Sequence, residues 1–336
     1  MRILMTTDTA GGVWTYSLEL ARALRERDVE VVLAAMGPGE PPGGDAPVEW
    51  RPYALEWMPD PWDDVEAAGE WLLELRHELQ PDLVHVNGYA HAALEWRVPV
   101  VVAGHSDVLS WFEAVRGETA PEEWDRYRRA VEAGLAGASV LVTPTRWLRD
   151  RLVALYRPQC ERLVIPNGRD PRPFEPLPKE PFVFSAGRRW DEAKNVAAVE
   201  RVAPRLPWEV VVAGPTDDAE TIAEDIAESL RRAAVFALPA RYEPFGLTPL
   251  EAALAGCALV LGDIPSLREV WEDAALYVSP LDDDALERTL LRLIDDGGLR
   301  ARMAAAARER ALTYSPERMC DAYLALYRRL RALERV

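Results

Sequence analysis

The sequence predicts a doubly wound α/β chain made of two Rossmann-like halves in tandem, and three observations carry that prediction. Short β-branched runs alternate with longer amphipathic stretches, as parallel strands joined by crossover helices do. The alternation breaks once, between Pro166 and Pro181, where six prolines fall in a stretch with neither helical nor alternating pattern. It then restarts on the same plan. At 336 residues, 49% hydrophobic and 28% charged, the chain is long enough for two ordinary domains, and disordered and fibrous classes are excluded.

In the first half, strands are expected at Arg2 to Thr6, Glu30 to Ala35, Val48 to Arg51, Leu83 to Val86, Val100 to Gly104, Ser139 to Thr143 and Arg162 to Ile165. Helices fill the gaps. Asp60-Pro61-Trp62-Asp63 offers an N-cap, a proline at the first helical position and an acid in the first turn, and Pro121 to Gly137 repeats that logic. The proline-rich stretch 167–181 reads as an interdomain linker, separating a domain at 1–166 from one at 182–315. Beyond it, strands are expected at Phe182 to Ala186, Glu209 to Ala213, Val235 to Leu238, Ala258 to Leu261 and Ala275 to Val278. Helices from Asp283 and Leu299 precede a long capped helix at about 316–336.

The formal charge of −17 opposes a general attraction to phosphate backbones, so no nucleic-acid partner is expected. An anionic ligand would need positive charge focused locally. Of 39 basic residues only Lys179 and Lys194 are lysine, so a lysine at a motif position stands out from an arginine background. Cys160, Cys257 and Cys320 are widely spaced, with no metal-ligand pattern, and read as buried thiols. No apolar run approaches the roughly 20 residues that span a bilayer, and the start is too short in apolar residues for a signal-peptide core. A cytoplasmic protein with no integral membrane segment is expected.

In open α/β sheets ligands sit beyond the carboxyl ends of strands, where loops meet helix N-termini. After the first strand, Asp8-Thr9-Ala10-Gly11-Gly12 would let backbone amides approach an anion, although a tight strand-to-helix turn explains the glycines equally well. The pair does not match the Gly-x-Gly-x-x-Gly fingerprint of dinucleotide oxidoreductases. His77 and His85 fall within a helix and a strand and read as structural. His105 follows Pro-Val-Val-Val-Ala-Gly at a strand end, where an imidazole can reach a substrate hydroxyl and Asp107 can cap the next helix; His91 is a weaker candidate at the same edge.

In the second half, Gly187 to Asn195 places Arg188 and Lys194 on either side of a loop at a helix start, suited to clamping two phosphates, although Asp191 and Glu192 between them also allow a solvated charged turn. In Arg241-Tyr242-Glu243-Pro244-Phe245-Gly246-Leu247-Thr248-Pro249-Leu250-Glu251, a capping box of Thr248 with Glu251, with Pro249 at the first helical position, would account for Glu251 without a ligand. Glu243 escapes that account. It lies in a loop where a carboxylate could accept hydrogen bonds from sugar hydroxyls.

Taken in order, these motifs resemble the retaining glycosyltransferases of the GT-B fold, family 4. The resemblance covers nearly the whole chain: Gly11-Gly12, His105, Val164-Ile165-Pro166-Asn167-Gly168, Gly187-Arg188 to Lys194-Asn195, and Glu243-Pro244-Phe245-Gly246-Leu247 to Glu251-Ala252. It implies two Rossmann-like domains facing across a cleft, the C-terminal helix crossing back to the first, and a nucleotide-diphosphate sugar held mainly by the second. Arg188 and Lys194 would then neutralise the departing diphosphate, Glu243 would bind donor-sugar hydroxyls and Glu251 the ribose. The backbone at Phe245, Gly246, Leu247 and Thr248, with Gly11 and Gly12, would complete the donor contacts, and His105 would face the sugar near its anomeric carbon. No metal or other cofactor is implied.

The chain departs from the family pattern after Gly214, where Pro215-Thr216-Asp217-Asp218 runs almost directly into a helix and a segment that usually helps form the base pocket is shortened. Tyr242 or Arg241 could stack on the base instead. A relative that binds sugar nucleotides without turnover is the alternative. The acceptor, whether small molecule, glycan or lipid-linked, is sought near His91, Trp111 and Arg116. Arginines at 126, 128, 129, 328, 329 and 331 could touch an inner membrane surface, but a solvated helix face fits the −17 charge better.

Overall fold

A computed structural model of the chain describes residues 1–9, 11–41, 46–214 and 223–333. The chain divides into two compact units, the first comprising Met1–Glu113, Glu118–Gly168 and Pro316–Val336 and the second Ala114–Gly117 and Arg169–Ser315.

The first unit runs β1 (Arg2–Asp8), α1 (Gly12–Arg25), β2 (Glu30–Met36), β3 (Val48–Arg51), α2 (Trp62–Leu79), β4 (Leu83–Asn87), β5 (Val100–Ala103), α3 (Val108–Trp111), α4 (Asp125–Gly137), β6 (Val140–Thr143), α5 (Arg146–Tyr156) and β7 (Glu161–Val164). All pairings are parallel, in the order β3-β2-β1-β4-β5-β6-β7. Successive residues feed opposite faces, which is why these strands read as unbroken apolar runs. Ile3 and Met5 join one core cluster with Tyr16 and Leu20, and Leu4 joins the other with Leu72 and Leu135.

The second unit runs β8 (Glu180–Ala186), α6 (Val196–Val202), β9 (Glu209–Ala213), α7 (Ala223–Arg232), β10 (Ala233–Leu238), α8 (Leu247–Leu254), β11 (Ala258–Gly262), α9 (Pro265–Trp271), β12 (Leu276–Val278), α10 (Asp283–Asp295) and α11 (Gly297–Ala311). Its parallel sheet has the order β12-β11-β10-β8-β9. The alternation recurs, with Phe184 and Phe236 on one face and Val183 and Val235 on the other. The last helix, α12 (Pro316–Leu333), belongs to the first unit. Met319, Tyr323, Leu326, Tyr327 and Leu330 repeat at helical spacing, and this stripe is buried with Ile3, Tyr16 and Leu20.

Local chemistry differs from the sequence expectation at three places. Helix α2 has Pro61 at its cap position and begins at Trp62, because Asp60 takes a left-handed φ of 44° that removes it from the helix start. The proline-rich stretch packs onto the second unit: Phe174 is buried beside Leu250 and Leu254, and Lys179 donates to the carbonyls of Leu230 (3.2 Å), Arg231 (3.0 Å) and Ala255 (2.5 Å). That role at two helix ends accounts for one of the chain's two lysines. Cys160 is only half-buried, unlike Cys257 and Cys320, and all three are free thiols.

Candidate active site

Strand order reverses at two places, and most of the candidate residues sit there. In the first sheet β2 lies on one side of β1 and β4 on the other; in the second sheet β9 and β10 flank β8. Loops leaving the carboxyl ends of such neighbours diverge to opposite faces and open a crevice.

In the second unit, the loops after β8 and β10 are stitched by two hydrogen bonds to the Ala193 carbonyl, from Arg241 N (2.8 Å) and Tyr242 N (3.4 Å). This brings Lys194 onto Glu243, and the ammonium donates to the carboxylate in a largely buried ion pair. Arg188 pairs with Asp191 at 3.0 Å and lies over the Trp190 ring at 4.8 Å, so the charged-turn reading of this loop is partly realised. Trp190 itself is 57% exposed. Asn195 takes a left-handed φ of 52° and its side-chain amide donates to the carbonyls of Pro239 and Pro280, which pins the end of the loop.

The expected capping box is absent. Gly246 occupies the cap position of α8 with φ 92°, a conformation that favours glycine, so the helix starts at Leu247 and Thr248 lies inside its first turn. Glu251 instead accepts from Arg169 Nε at 2.8 Å, and the Arg169 guanidinium lies 4.9 Å from the Phe174 ring centre. Arg169 joins the candidate site through Glu251, and sequence reasoning missed it. The Phe245 amide donates weakly to Glu243 Oε1 at 3.4 Å, which folds the Glu243–Gly246 loop over its own carboxylate. The residues after Gly214, 215–222, lie outside those described, and so does the shortened segment.

In the first unit, Gly11 caps α1 with φ 117°, and among the described residues nothing outside its own turn lies within 4 Å of where its Cβ would stand. A first helical turn with no acidic residue and an open approach suits an anion or a hydroxyl. His105 follows β5, half-buried, with Nε2 2.7 Å from Asn87 Oδ1 and its ring 4.5 Å from that of Tyr16 in an edge arrangement. Asp107 caps α3 as expected, accepting from Ser110 N at 2.7 Å, and also accepts from the Tyr156 hydroxyl at 2.5 Å. Trp111 ends α3 and packs edge-on against Phe112; Arg116, in the Ala114–Gly117 segment assigned to the second unit, closes a short π-helical turn.

His91 is turned away from the strand ends. Its Nε2 lies 3.0 Å from the Val65 carbonyl of α2, and the ring is buried against that helix, so its role is packing. The arginines considered for membrane contact are partly engaged at home: Arg126 lies over Trp62, Arg329 pairs with Glu161 and Arg331 with Asp82. Among the described residues no helix is long and apolar enough to cross a membrane, and no group of three or more His, Cys, Asp and Glu side chains could hold a metal ion.

Three groups, buried His85 with half-buried His105 and Glu56, give this unit a definite pH response. Burial pushes His85 down to about 3 and His105 down to about 4, against 6.5 for an exposed histidine. As pH falls from 6.5 towards 4, the unfolded chain takes up protons that the folded chain refuses, so stability is full above that window and is lost through it. From pH 7 to 5 the loss is about 2 kcal/mol for each histidine. Glu56, whose carboxylate accepts from the Tyr89 and Ala90 amides, is pushed up to about 7 by burial. It therefore stabilises fully below about 4.5 and loses that contribution as pH rises through 7, opposing the histidines. Hydrogen exchange of the β4 and β5 amides should report lower stability at pH 5 than at pH 7, and Glu56→Gln should steepen the fall. A flat or inverted profile would refute the assignment.

Sequence comparison agrees with this geometry. The family described as Glycosyltransferase Family 4 matches residues 10–172 and the family described as Glycosyl transferases group 1 matches residues 219–310, together about three quarters of the chain. A D-inositol 3-phosphate glycosyltransferase of Xylanimonas cellulosilytica is 28% identical, over 96% of this chain and 92% of the relative. The fold is similar to that of sucrose-phosphate synthase from Thermosynechococcus elongatus, with a TM-score of 0.84 at 19% identity, over 99% of this chain and 100% of the other. It is similar also to Anabaena HepE in complex with UDP and glucose, with a TM-score of 0.71 at 15% identity, over 97% of this chain and 99% of the other. The chain belongs to the GT-B glycosyltransferases of the family-4, group-1 type.

Proposed function

We propose that the protein transfers a hexosyl group from a nucleotide-diphosphate sugar to a hydroxyl acceptor with retention at the anomeric carbon, and that it needs no metal. The observation that carries this reading is the pairing of Lys194 with Glu243 at the β8/β10 reversal, beside Arg188. One cation there can follow a departing phosphate while the carboxylate it releases accepts from sugar hydroxyls. In the reaction the anomeric C–O bond to the diphosphate breaks, the acceptor oxygen bonds to the same face of that carbon, and its proton passes to the leaving phosphate. Negative charge grows on the diphosphate in the transition state, so Arg188 and Lys194 stabilise it more than the ground state.

Glu251, held by Arg169, is read as the ribose ligand, Thr248 and the Phe245–Leu247 backbone as further donor contacts, and Gly11, Gly12 and His105 as the first unit's share. Trp111 and Arg116 are read as acceptor contacts. A donor bearing UDP is favoured as the first to try because HepE was crystallised with UDP and glucose.

The test incubates the protein with UDP-, GDP- and ADP-sugars, with and without D-inositol 3-phosphate as a first acceptor, and follows nucleoside diphosphate release. Release with one donor, unchanged by EDTA, and a product with the donor's anomeric configuration by NMR are expected. Inversion would overturn the retaining mechanism, and loss on chelation the metal independence. Saturable nucleoside diphosphate binding with no release from any donor would leave two readings, a binding protein of this fold or an enzyme whose required acceptor is missing from the assay.

A further inference from the structure

Asn87 ends β4, and its side-chain hydrogen bonds leave no freedom in how its amide faces. The Thr6 carbonyl, which can only accept, lies 2.7 Å from the amide nitrogen, and Ser17 Oγ lies 3.3 Å from the same atom. The Asn87 backbone amide is held as well, donating to Thr6 Oγ1 at 2.9 Å. Its side-chain oxygen must then be the atom 2.7 Å from His105 Nε2. An amide oxygen carries no proton, so Nε2 donates. Burial keeps His105 neutral through the physiological range. A neutral imidazole has one proton, already placed, which leaves Nδ1 bare. The Tyr16 ring against the imidazole fixes its plane.

We propose that Asn87 is a positioning residue which locks His105 as its Nε2–H tautomer, so that Nδ1 is offered to the ligand as a hydrogen-bond acceptor only. The ligand group this nitrogen takes is a hydroxyl that donates to it. A phosphate oxygen is rejected there, because two lone pairs would meet with no proton between them. Naming that hydroxyl as one of the transferred sugar or its acceptor rests on the function proposed above, whereas the tautomer does not.

The chain has four histidines, so ¹⁵N-histidine labelling of the full-length protein gives a spectrum simple enough to assign with a His105→Gln variant. At pH 8, long-range ¹H–¹⁵N correlations should show His105 with a protonated Nε2 and a bare Nδ1. Asn87→Asp keeps an acceptor for Nε2 and should keep that signature; Asn87→Leu should give mixed tautomers. Both variants lose the donor to the Thr6 carbonyl, so a merely structural Asn87 would suffer as much from Asp as from Leu. With the donor found active, kcat should fall about tenfold or more in Asn87→Leu, and by less than about threefold in Asn87→Asp, with KM changing less than kcat in both. An Nδ1–H signature in the wild type, or equal losses in the two variants, overturns the proposal. If the wild type turns over no donor, the tautomer still decides this inference and the failure belongs to the functional reading.

Discussion

Lys194→Ala is expected to lower kcat/KM by about a thousandfold, the scale on which a fixed group facing developing charge contributes to catalysis. The substitution removes the cation for the leaving phosphate and leaves Glu243, whose side chain is only 10% exposed, without its partner. A stranded carboxylate of that kind costs about 3–5 kcal/mol by itself, so loss of activity alone would not separate catalysis from local collapse. The double variant Lys194→Ala/Glu243→Ala makes the separation. It removes the stranded charge, so its stability should return towards that of the wild type while turnover stays near that of the single variant. Its turnover is judged against Glu243→Ala: a double variant far slower than Glu243→Ala shows that Lys194 acts on the leaving group, and equal rates would mean that Lys194 serves only as the counter-ion of Glu243. Lys194→Arg is expected to restore little. A planar guanidinium places its donors on a rigid fork, and it cannot take the single-point geometry by which the ammonium meets both Glu243 and a phosphate. Steady-state kinetics on the donor found active, with urea unfolding of each variant, provide both readouts.

The sequence already carried the alternation that builds both sheets, because strands buried on both faces must be apolar at every position and stand out against charged helices. Strand ends moved by one or two residues, where register with a neighbour decides the last hydrogen bond. Caps were less legible. The starts of α2 and α8 are set by left-handed backbone at Asp60 and Gly246, and a capping motif read from side chains alone does not register φ. Lys194 and Glu243 were each visible as strand-end chemistry, but 49 residues separate them and only the order β10-β8 makes them partners. Arg169 was hidden inside a proline-rich stretch with no periodicity to give it a direction. Asn87 could have been found by the reasoning that found His105, since it too is a polar residue directly after an apolar strand. His91, a weaker candidate further along the same loop, is turned away, because the 3₁₀ turn at Ala90–Ala93 swings its ring onto α2.

Trp271→Ala is expected to destabilise the second unit by about 3–5 kcal/mol, and Trp271→Phe by about 1 kcal/mol or less. The indole is fully buried in the core cluster that also holds Phe245, Leu250 and Leu254, so alanine leaves a cavity in that core. Phenylalanine keeps most of that volume. It also deletes an indole N–H that is buried with no hydrogen-bond partner among the described residues, and removing an unsatisfied donor recovers part of the packing lost. The gap between the two variants is thus larger than side-chain volume alone would give. Helix α9 also carries Ser266, whose hydroxyl donates to the Glu243 carbonyl at 2.6 Å, so loosening α9 should loosen the Glu243 loop. Trp271→Ala should therefore weaken nucleoside diphosphate binding even where the unit remains folded, and Trp271→Phe should not. Hydrogen exchange of the β8, β10 and β11 amides gives the stability of this unit separately from the first, which a single unfolding curve of a two-unit chain would not. Equal destabilisation by alanine and phenylalanine would show that the indole N–H is satisfied in solution and that its hydrogen bond, as much as its volume, holds α9 in place.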